Sequence, residues 1–367
     1  MIDEHRRYLR DRHRISAYQR ALTEVVSANS IVVDLASGTG ILGMLAVRAG
    51  AARVYAIDET GVVGLARRIV RENRLEGVIV GVRGSSGSVQ LHEPADVVVC
   101  DQLGPFGVDG GILEASRHAR DRFLKPSGTL VPHAVELSLA LVEDATLHGR
   151  ISFWRGRPAG WNFQSAAEIA ANSPFRVRLR SDRLLSSARM AATLDLTRET
   201  TLPLRLSVGL QPVRDGVLHG IGGWFTARLS SSVSMTNSPA DPQRINRRQM
   251  FFPIDEPVRV RAGDAIDVSM QILPDAAMYS WEVAIDGAKR CQQSTLRAVM
   301  LTLEDLKRTN PAHIPVRTPE ASARLTVLSL CDGRHSLREI ERGVYDAHRD
   351  LFRSPDEAAT FVARVLS

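Results

Sequence analysis

The residues with the clearest chemical meaning are two aspartates that flank a glycine-rich turn. Asp34 ends a short apolar run, the turn contains Gly38 and Gly40, and Asp58 ends the next apolar run. Glycines in such a turn let a ligand lie against the backbone, because they carry no Cβ. A carboxylate at the end of the following strand can accept hydrogen bonds from both hydroxyls of a ribose. The spacing therefore predicts a site for a nucleoside-bearing cofactor.

Two cofactor classes use this geometry, and the position of Asp34 favours one of them. Gly38, Gly40 and Gly43 also satisfy the G-x-G-x-x-G pattern of dinucleotide sites. A carboxylate directly before the turn would repel a pyrophosphate, whereas it can hold the ammonium group of a methionine moiety. The pattern thus favours S-adenosylmethionine, and with it methyl transfer, over a nicotinamide cofactor.

Arg14 is the candidate partner for the carboxylate of the same cofactor. A planar guanidinium binds a carboxylate with two parallel hydrogen bonds, which the ammonium group of lysine cannot do. Composition alone, however, favours an ordinary exposed arginine at this position.

Extended and helical patterns alternate up to about residue 132. The predicted strands cover residues 31–33, 53–58, 78–82 and 95–101, and the predicted helices cover residues 6–26, 41–49, 61–73 and 112–124. Strands that are apolar on both faces indicate a parallel sheet with helices on both sides. We expect an α/β, Rossmann-like class I methyltransferase domain over residues 1–132.

The pattern changes after Pro132 to β-rich stretches with turn clusters between them. These stretches cover residues 135–142, 204–210, 223–229, 258–263 and 266–273. They predict an antiparallel sandwich or barrel over residues 133–300, with an inserted helical arm at about 145–190. Residues 318–367 predict a small helical unit, because Ser336 with Glu339 and Ser354 with Glu357 have the spacing of capping boxes.

Composition limits the remaining possibilities. The formal net charge of +6 is spread along the chain, which makes nucleic-acid binding an unlikely role. Cys100, Cys291 and Cys331 have neither metal-ligand spacing nor the pattern of a disulfide framework, so we expect no metal and a reducing, cytoplasmic environment. The sequence shows no apolar run of about 20 residues and no secretory signal, and we expect no membrane partner.

Several segments resemble the protein arginine methyltransferase family over residues 5–285. They are Asp11-x-x-Arg14-x-x-x-Tyr18, residues 33–58 (VDLASGTGILGMLAVRAGAARVYAID), residues 119–132 (ARDRFLKPSGTLVP), and the β stretches around residues 223–225, 235–239, 244–252 and 260–266. The resemblance implies a β-barrel domain, a dimerisation arm near residues 160–163 and a homodimer. It also implies cofactor contacts from Arg14, Asp34, Ala36, Ser37, Gly38, Gly40, Ile41, Leu42, Asp58, Glu59 and Ser86.

The same comparison shows where the chain departs from the family. The family holds the substrate guanidinium between two glutamates of one loop, whose positions here are Asp101 and Gly110, with Asp109 beside the latter. We take Asp101 as the candidate for substrate orientation or general base, although an aspartate that caps a turn is a simple alternative. Asp109 is the second catalytic candidate.

A second departure lies in the barrel loop that carries Thr-His-Trp in the family. The matching residues are Ile245, Asn246 and Arg247. The candidate substrate residues are therefore Gln102, Asn246 and Arg247, and we expect Arg247 beside a carboxylate or phosphate rather than a guanidinium. The family's aromatic helix that covers the cofactor has no counterpart in the sequence.

Residues 325–340 (LTVLSLCDGRHSLREI) and the helix after them resemble winged-helix modules that bind leader peptides. Helix packing without a ligand is the alternative. Three functions stay open: methyl transfer to a peptide or protein side chain, either arginine or another residue, N- or O-methylation of a small natural product, and a cofactor-binding partner subunit without turnover.

Overall fold

The computed structural model describes residues 2–287 and 289–366 of the 367-residue chain. Residue contacts divide the chain into two compact units, Met1–Val299 and Met300–Ser367, and each has its own apolar core.

The chain begins with two helices, α1 (Ile2–Arg10) and α2 (Arg12–Val25). The single helix predicted over residues 6–26 is therefore wrong in its first part. The break falls at Asp11, whose side chain accepts a hydrogen bond from the backbone N–H of Arg14 and so caps α2. An aspartate at this position satisfies one of the N–H groups that a helix start leaves unpaired.

A five-stranded parallel sheet follows, with the strand order β3-β2-β1-β4-β5. Its strands and helices are β1 (Ile31–Leu35), α3 (Ile41–Arg48), β2 (Arg53–Asp58), α4 (Val62–Glu72), β3 (Ile79–Arg83), β4 (Ala95–Cys100), α5 (Ile112–His118) and β5 (Leu124–Val131). A short π-helical turn, Ala119–Phe123, joins α5 to β5. The alternating elements confirm the predicted Rossmann-like α/β fold.

The strand order reverses between β1 and β4, which lie side by side with Leu35 next to Cys100. In parallel sheets, loops at the carboxyl ends of two such strands diverge and leave a crevice for a ligand. The glycine turn follows β1 and the loop of residues 101–111 follows β4. The topology thus brings these two segments to the same crevice.

Two antiparallel sheets make up most of the rest of the first unit. The six-stranded sheet has the order β7-β12-β10-β6-β8 with β11 against β10, and the four-stranded sheet has the order β15-β14-β13-β9. The strands are β6 (Ala134–Val142), β7 (Phe175–Val177), β8 (Arg189–Asp195), β9 (Leu204–Leu210), β10 (Gly216–Arg228), β11 (Ser234–Thr236), β12 (Gln249–Val260), β13 (Ile266–Leu273), β14 (Met278–Ile285) and β15 (Lys289–Ser294). Both sheets contribute to one apolar core with the parallel sheet.

The segment between β6 and β7 contains the helices α6 (Ala145–Arg155) and α7 (Gln164–Ala171). It occupies most of the region predicted as an inserted arm. Its aromatic side chains Phe153 and Trp161 are exposed, at 57% and 72%.

The loop of residues 101–111 is fixed against the six-stranded sheet by close packing. A Cβ on Gly223 would lie 2.7 Å from the Phe106 ring, and a Cβ on Gly107 would lie 2.7 Å from Phe225. The buried side chain of Asn237 donates hydrogen bonds to the carbonyls of Pro105 and Arg248, both at 2.8 Å. The loop therefore has little freedom to change its path.

The second unit contains α8 (Leu303–Arg308), α9 (Pro319–Leu330), α10 (Leu337–Ala347) and α11 (Pro355–Leu366). The capping box of Ser336 and Glu339 is confirmed at the start of α10. Ser354 accepts a hydrogen bond from the Glu357 N–H, but the Glu357 carboxylate accepts from the N–H of Arg353 instead of closing the box. Residues 300–366 contain no strand, so the likeness to winged-helix modules is limited to the helices.

None of the described helices is long and apolar enough to cross a bilayer. Within residues 2–287 and 289–366, no three His, Cys, Asp or Glu side chains converge as a metal site would require.

Candidate functional site

The glycine turn has the backbone conformation that its sequence predicts. Ala36, Gly38 and Gly40 have φ angles of 55°, 55° and 81°, in the left-handed region. Glycine tolerates this region, whereas alanine is strained there. Gly40 precedes α3, so the turn directs the first backbone N–H groups of that helix back toward the end of β1.

Asp34 is fully buried at this helix start. Its Oδ2 accepts a hydrogen bond from the Gly43 N–H at 2.8 Å, while its Oδ1 is buried without a hydrogen-bond partner. Burial raises the pKa of Asp34 to about 7, although the Gly43 N–H and the charge of Arg14 act in the opposite direction. An unpaired buried carboxylate oxygen is costly unless a ligand satisfies it.

Asp58 lies beside a cavity of about 460 Å³, which we call the turn cavity. Its carboxylate accepts hydrogen bonds from the Gly38 N–H and from the N–H and hydroxyl of Thr60, at 2.7–3.0 Å. A carboxylate has about four acceptor positions, so about one remains. Asp58 can therefore bind both hydroxyls of a ribose only if Thr60 gives up a contact, a competition that the sequence did not predict.

The opposite wall of the turn cavity contains Ser86, whose hydroxyl lies 2.8 Å from Nδ1 of His118. Burial lowers the pKa of His118, so its ring is neutral at neutral pH. Thr60, Glu114 and His118 also line the cavity and were missed at the sequence level. His118 lies one turn after Glu114 on α5, a spacing that could have indicated a shared helical face.

The predicted cofactor residues are only partly brought together. Ala36, Asp58, Glu59 and Ser86 line the turn cavity. The side chains of Ile41 and Leu42 pack in or against the apolar core, which leaves their backbone as the part that can face a ligand, so their cofactor role stays a prediction. The Ser37 hydroxyl is buried without a hydrogen-bond partner.

A second cavity of about 600 Å³, the loop cavity, adjoins the first. Ala36 and Gln102 line both, so these two residues mark the passage between them. The predicted residues Arg14, Asp101, Asp109, Asn246 and Arg247 all line the loop cavity.

Asp101 is buried between two arginines. Arg14 Nε lies 2.5 Å from its Oδ2, and both terminal nitrogens of Arg247 lie 3.2–3.3 Å from the carboxylate oxygens. Burial by itself would raise the pKa of Asp101, but the charges of Arg14 and Arg247 outweigh it and hold the pKa below its ordinary value. A carboxylate with so low a pKa is a weak base, which disfavours the predicted general-base role.

Arg247 was expected beside the carboxylate or phosphate of a substrate. Instead it contacts the carboxylate of Asp101 and donates a hydrogen bond to the Leu103 carbonyl. Its charge is thus used within the protein. The neighbouring Asn246 accepts a hydrogen bond from Arg178 through its side chain and donates its backbone N–H to Asp11.

The position of the second family glutamate is sterically closed. A Cβ on Gly110 would lie 2.4 Å from the Gln102 carbonyl oxygen and 2.7 Å from the Gly104 nitrogen. The adjacent Asp109 accepts a hydrogen bond from the Phe106 N–H, and its Oδ2 is buried without a hydrogen-bond partner. Burial raises the pKa of Asp109.

Helix α1 lies close to the glycine turn. A Cβ on Gly38 would lie 2.7 Å from the His5 ring, and Tyr8 of the same helix lines the loop cavity. The i, i+3 spacing of His5 and Tyr8 was the available signal. Arg176 and Arg178, which also line the loop cavity, alternate along an extended stretch.

Comparisons with known proteins agree with this geometry. Residues 133–284 match the family model of the arginine methyltransferase oligomerization subdomain, and residues 17–106 match that of ribosomal protein L11 methyltransferase. An arginine N(omega)-methyltransferase of Streptomyces achromogenes subsp. streptozoticus is 30% identical over 70% of this chain and 73% of its own length. Protein arginine N-methyltransferase 6 of Xenopus tropicalis is 28% identical over 74% of this chain and 84% of its own length.

Solved structures share the fold. The Trypanosoma brucei PRMT1 enzyme–prozyme heterotetrameric complex with AdoHcy matches with a TM-score of 0.74 and 23% identity, over 79% of this chain and 96% of that one. Arabidopsis thaliana protein arginine methyltransferase 10 matches with a TM-score of 0.69 and 20% identity, over 80% and 98%. The relatives and the fold together show that this chain belongs to the protein arginine methyltransferase family, whose cofactor is S-adenosylmethionine.

Proposed function

We propose that the protein transfers a methyl group from S-adenosylmethionine to a peptide or protein side chain that is not a free guanidinium. The observation that carries this proposal is that the loop of residues 101–111 has no available carboxylate at either position where the family has a glutamate. Its one matched acid, Asp101, is paired with Arg14 and Arg247, and no side chain fits at Gly110. A protonated guanidinium needs paired, available carboxylates, which this loop does not offer.

The cofactor fits two buried polar atoms that have no hydrogen-bond partner. These atoms are Nη1 of Arg14 and Oδ1 of Asp34. A methionine moiety carries a carboxylate for the first and an ammonium group for the second. Arg14 can serve both cavities, because its Nε binds Asp101 while its Nη1 remains available. Asp58, Glu59 and Ser86 would hold the adenosine part in the turn cavity.

The chain's own residues then have separate roles in the transfer. When bound, S-adenosylmethionine supplies a sulfonium methyl carbon that the acceptor attacks through a lone pair, leaving a neutral thioether. Gln102 and Ala36, at the passage between the cavities, orient the acceptor for in-line attack. Asp109 takes the acceptor's proton, because its raised pKa makes it a better base than Asp101. Asp101 is a positioning residue for the two arginines.

Transfer of a labelled methyl group tests the proposal. The full chain is incubated with labelled cofactor and a set of peptides that differ in one central residue: arginine, lysine, histidine, asparagine or glutamate. We expect label on a residue other than arginine, located by fragmentation mass spectrometry. Asp109→Asn should slow this transfer by about 100-fold, in the range of a lost general base. Label on arginine alone, or on no peptide, would refute the proposal.

A partner subunit without turnover is the second candidate, favoured because two arginines engage Asp101 and no carboxylate stands at Gly110. One of the solved neighbours is an enzyme–prozyme complex. The candidate predicts that S-adenosylhomocysteine binds normally while no acceptor is methylated by the chain alone. A single confirmed methylated product excludes it.

We also propose that the arm between β6 and β7 mediates a homodimer. The exposed aromatic side chains of Phe153, Trp161 and Phe163 give this arm an apolar surface. Light scattering should show a dimer for the wild type and a monomer for Phe153→Ser combined with Trp161→Ser. An unchanged mass in that variant would exclude this surface as the interface.

A further inference from the structure

The outer wall of the loop cavity carries three arginines on two adjacent strands. Arg176 is in β7, Arg178 follows one residue after the end of β7, and Arg248 immediately precedes β12. β7 and β12 pair antiparallel with Val177 opposite Gln249. Arg178 and Arg248 are the next residues beyond this last pair, so both lie at the same end of the two strands, and Arg176 is two residues before Arg178 along the chain. We call these three residues the arginine rim.

This arrangement is unfavourable on its own. Arginines that lie near one another repel, because their charges have the same sign. Arg178 donates only to the neutral amide of Asn246, at 2.8 Å, and the nearest carboxylate to Arg176 is Asp109 at 3.8 Å. Among the described residues, the Arg248 side chain has no hydrogen bond or ion pair. Within the described residues, no ion pair therefore balances the charges of Arg178 and Arg248, and Arg176 has only its long contact with Asp109.

The acids of the loop cavity do not compensate for it. Asp101 is already paired with Arg14 and Arg247, and Asp11 accepts the backbone N–H groups of Arg14 and Asn246. Glu4 accepts a hydrogen bond from the Tyr8 hydroxyl, and the charge of Asp109 is disfavoured by burial. Six arginines and four acids line the cavity, so its lining has a surplus of positive charge, the opposite of what a cationic substrate requires.

We propose that the arginine rim binds an oxyanion group of the methyl acceptor, a carboxylate or a phosphate, close to the atom that receives the methyl group. This inference rests on the proposed function, because it assigns the acceptor to the loop cavity. Guanidinium groups bind both oxyanions with paired, charge-assisted hydrogen bonds. A peptide with acidic residues beside the modified side chain and a small acid both meet this requirement.

Binding of an acidic probe tests the rim directly. A fluorescein-labelled glutamate-rich peptide is titrated with the full chain in the presence of S-adenosylhomocysteine, and fluorescence anisotropy gives the Kd. Arg178→Gln combined with Arg248→Gln should weaken binding by about tenfold or more, as expected for lost hydrogen bonds to a charged group. The matched control is Arg259→Gln combined with Arg261→Gln, which removes two exposed charges elsewhere and should change the Kd less than about twofold.

Succinate and inorganic phosphate serve as competitors and separate the two sources of the oxyanion. If succinate or phosphate displaces the labelled peptide, the rim recognises the oxyanion itself. If neither displaces it, the rim recognises an acidic peptide. An equal loss in both double variants, or no loss in the rim variant, would overturn the inference. Unfolding midpoints of the variants exclude misfolding as the cause.

The inference and the proposed function can fail separately. If labelled methyl transfer occurs and the rim variant keeps the wild-type kcat/KM, the rim inference is wrong and the proposed function stands. If the rim variant loses binding while no acceptor is methylated, the proposed function is wrong and the anion site stands.

Discussion

The turn cavity and the loop cavity begin at adjacent strand ends, yet their acidic groups are in different states. In and beside the turn cavity, Asp58 keeps an acceptor position and Asp34 keeps an unpaired oxygen, so both can still bind a ligand. In the loop cavity, Asp101 stands where the resemblance places the first family glutamate, but its carboxylate is paired with Arg14 and Arg247. An acidic side chain can therefore stand at the position of a family acid and still be unavailable to bind a substrate.

The largest effect should come from Arg14, because it lines the loop cavity, pairs with Asp101 and is the proposed partner of the cofactor carboxylate. Arg14→Ala leaves the buried Asp101 with one partner, and removing one member of a buried ion pair costs about 3–5 kcal/mol of unfolding free energy. The variant should also lose measurable binding of S-adenosylhomocysteine. Urea unfolding and calorimetry measure the two effects. The control is Arg12→Ala, which removes an exposed arginine of the same helix and should change the unfolding free energy by less than about 0.5 kcal/mol. Equal stability of both variants would show that the ion pairs of Asp101 do not stabilise the fold.

The pH dependence of cofactor affinity should distinguish Asp34 from Asp101. Asp34 has a pKa of about 7 and must ionise to hold an ammonium group, so affinity should fall below about pH 7 by up to tenfold per pH unit. Between the unfolded pKa of about 3.9 and 7, the folded state holds the extra proton, so this group's contribution to stability decreases as pH rises.

Calorimetry across about pH 5 to pH 9 measures this slope. Asp34→Asn should bind the cofactor weakly at every pH and remove the slope. A slope that persists in this variant would assign the titration to another group.

Restoring the missing glutamate should sharpen the contrast in the loop cavity. Gly110→Glu should cost about 1–3 kcal/mol, because its Cβ collides with backbone, and should not create arginine methylation. Gly110→Ala adds only the Cβ and should cost nearly as much, which separates the collision from the added charge. Arginine methylation by a stable Gly110→Glu protein would show that the loop can move.

The smallest effect concerns the contact between Thr60 and Asp58. Thr60→Val removes the hydroxyl that occupies one acceptor position and should raise cofactor affinity by up to about threefold. The same change should cost at most about 1 kcal/mol in stability. Weaker binding would indicate that the Thr60 hydroxyl itself contacts the ligand.

Local patterns in the sequence predicted the parts of the molecule that depend on local geometry. The strands around Asp34 and Asp58, the turn at Gly38 and the helix start at Ser336 all follow from short-range rules. The contact of Asp101 with Arg14 and Arg247 could not be predicted in this way, because 87 and 146 residues separate the partners. The resemblance pointed to Asp101 as a matched position, but only the folded structure shows its pairing with two arginines.

The arginine rim illustrates the same limit. Alternation predicts that Arg176 and Arg178 share a face, but not that the pairing of β7 with β12 brings Arg248 to the same end of the strands. Register between distant strands depends on which apolar faces meet in the core, and a single sequence does not specify that pairing.

The separate core of residues 300–367 has a consequence for how this chain can be divided. The parallel and antiparallel sheets of the first unit bury side chains against each other, so a cut near residue 132 would expose apolar surface on both fragments. The helical unit closes its own core around Val327, Val344 and Phe361. Residues 300–366 thus have the core that a separate folding unit needs, whereas a division within the first unit would break a shared core.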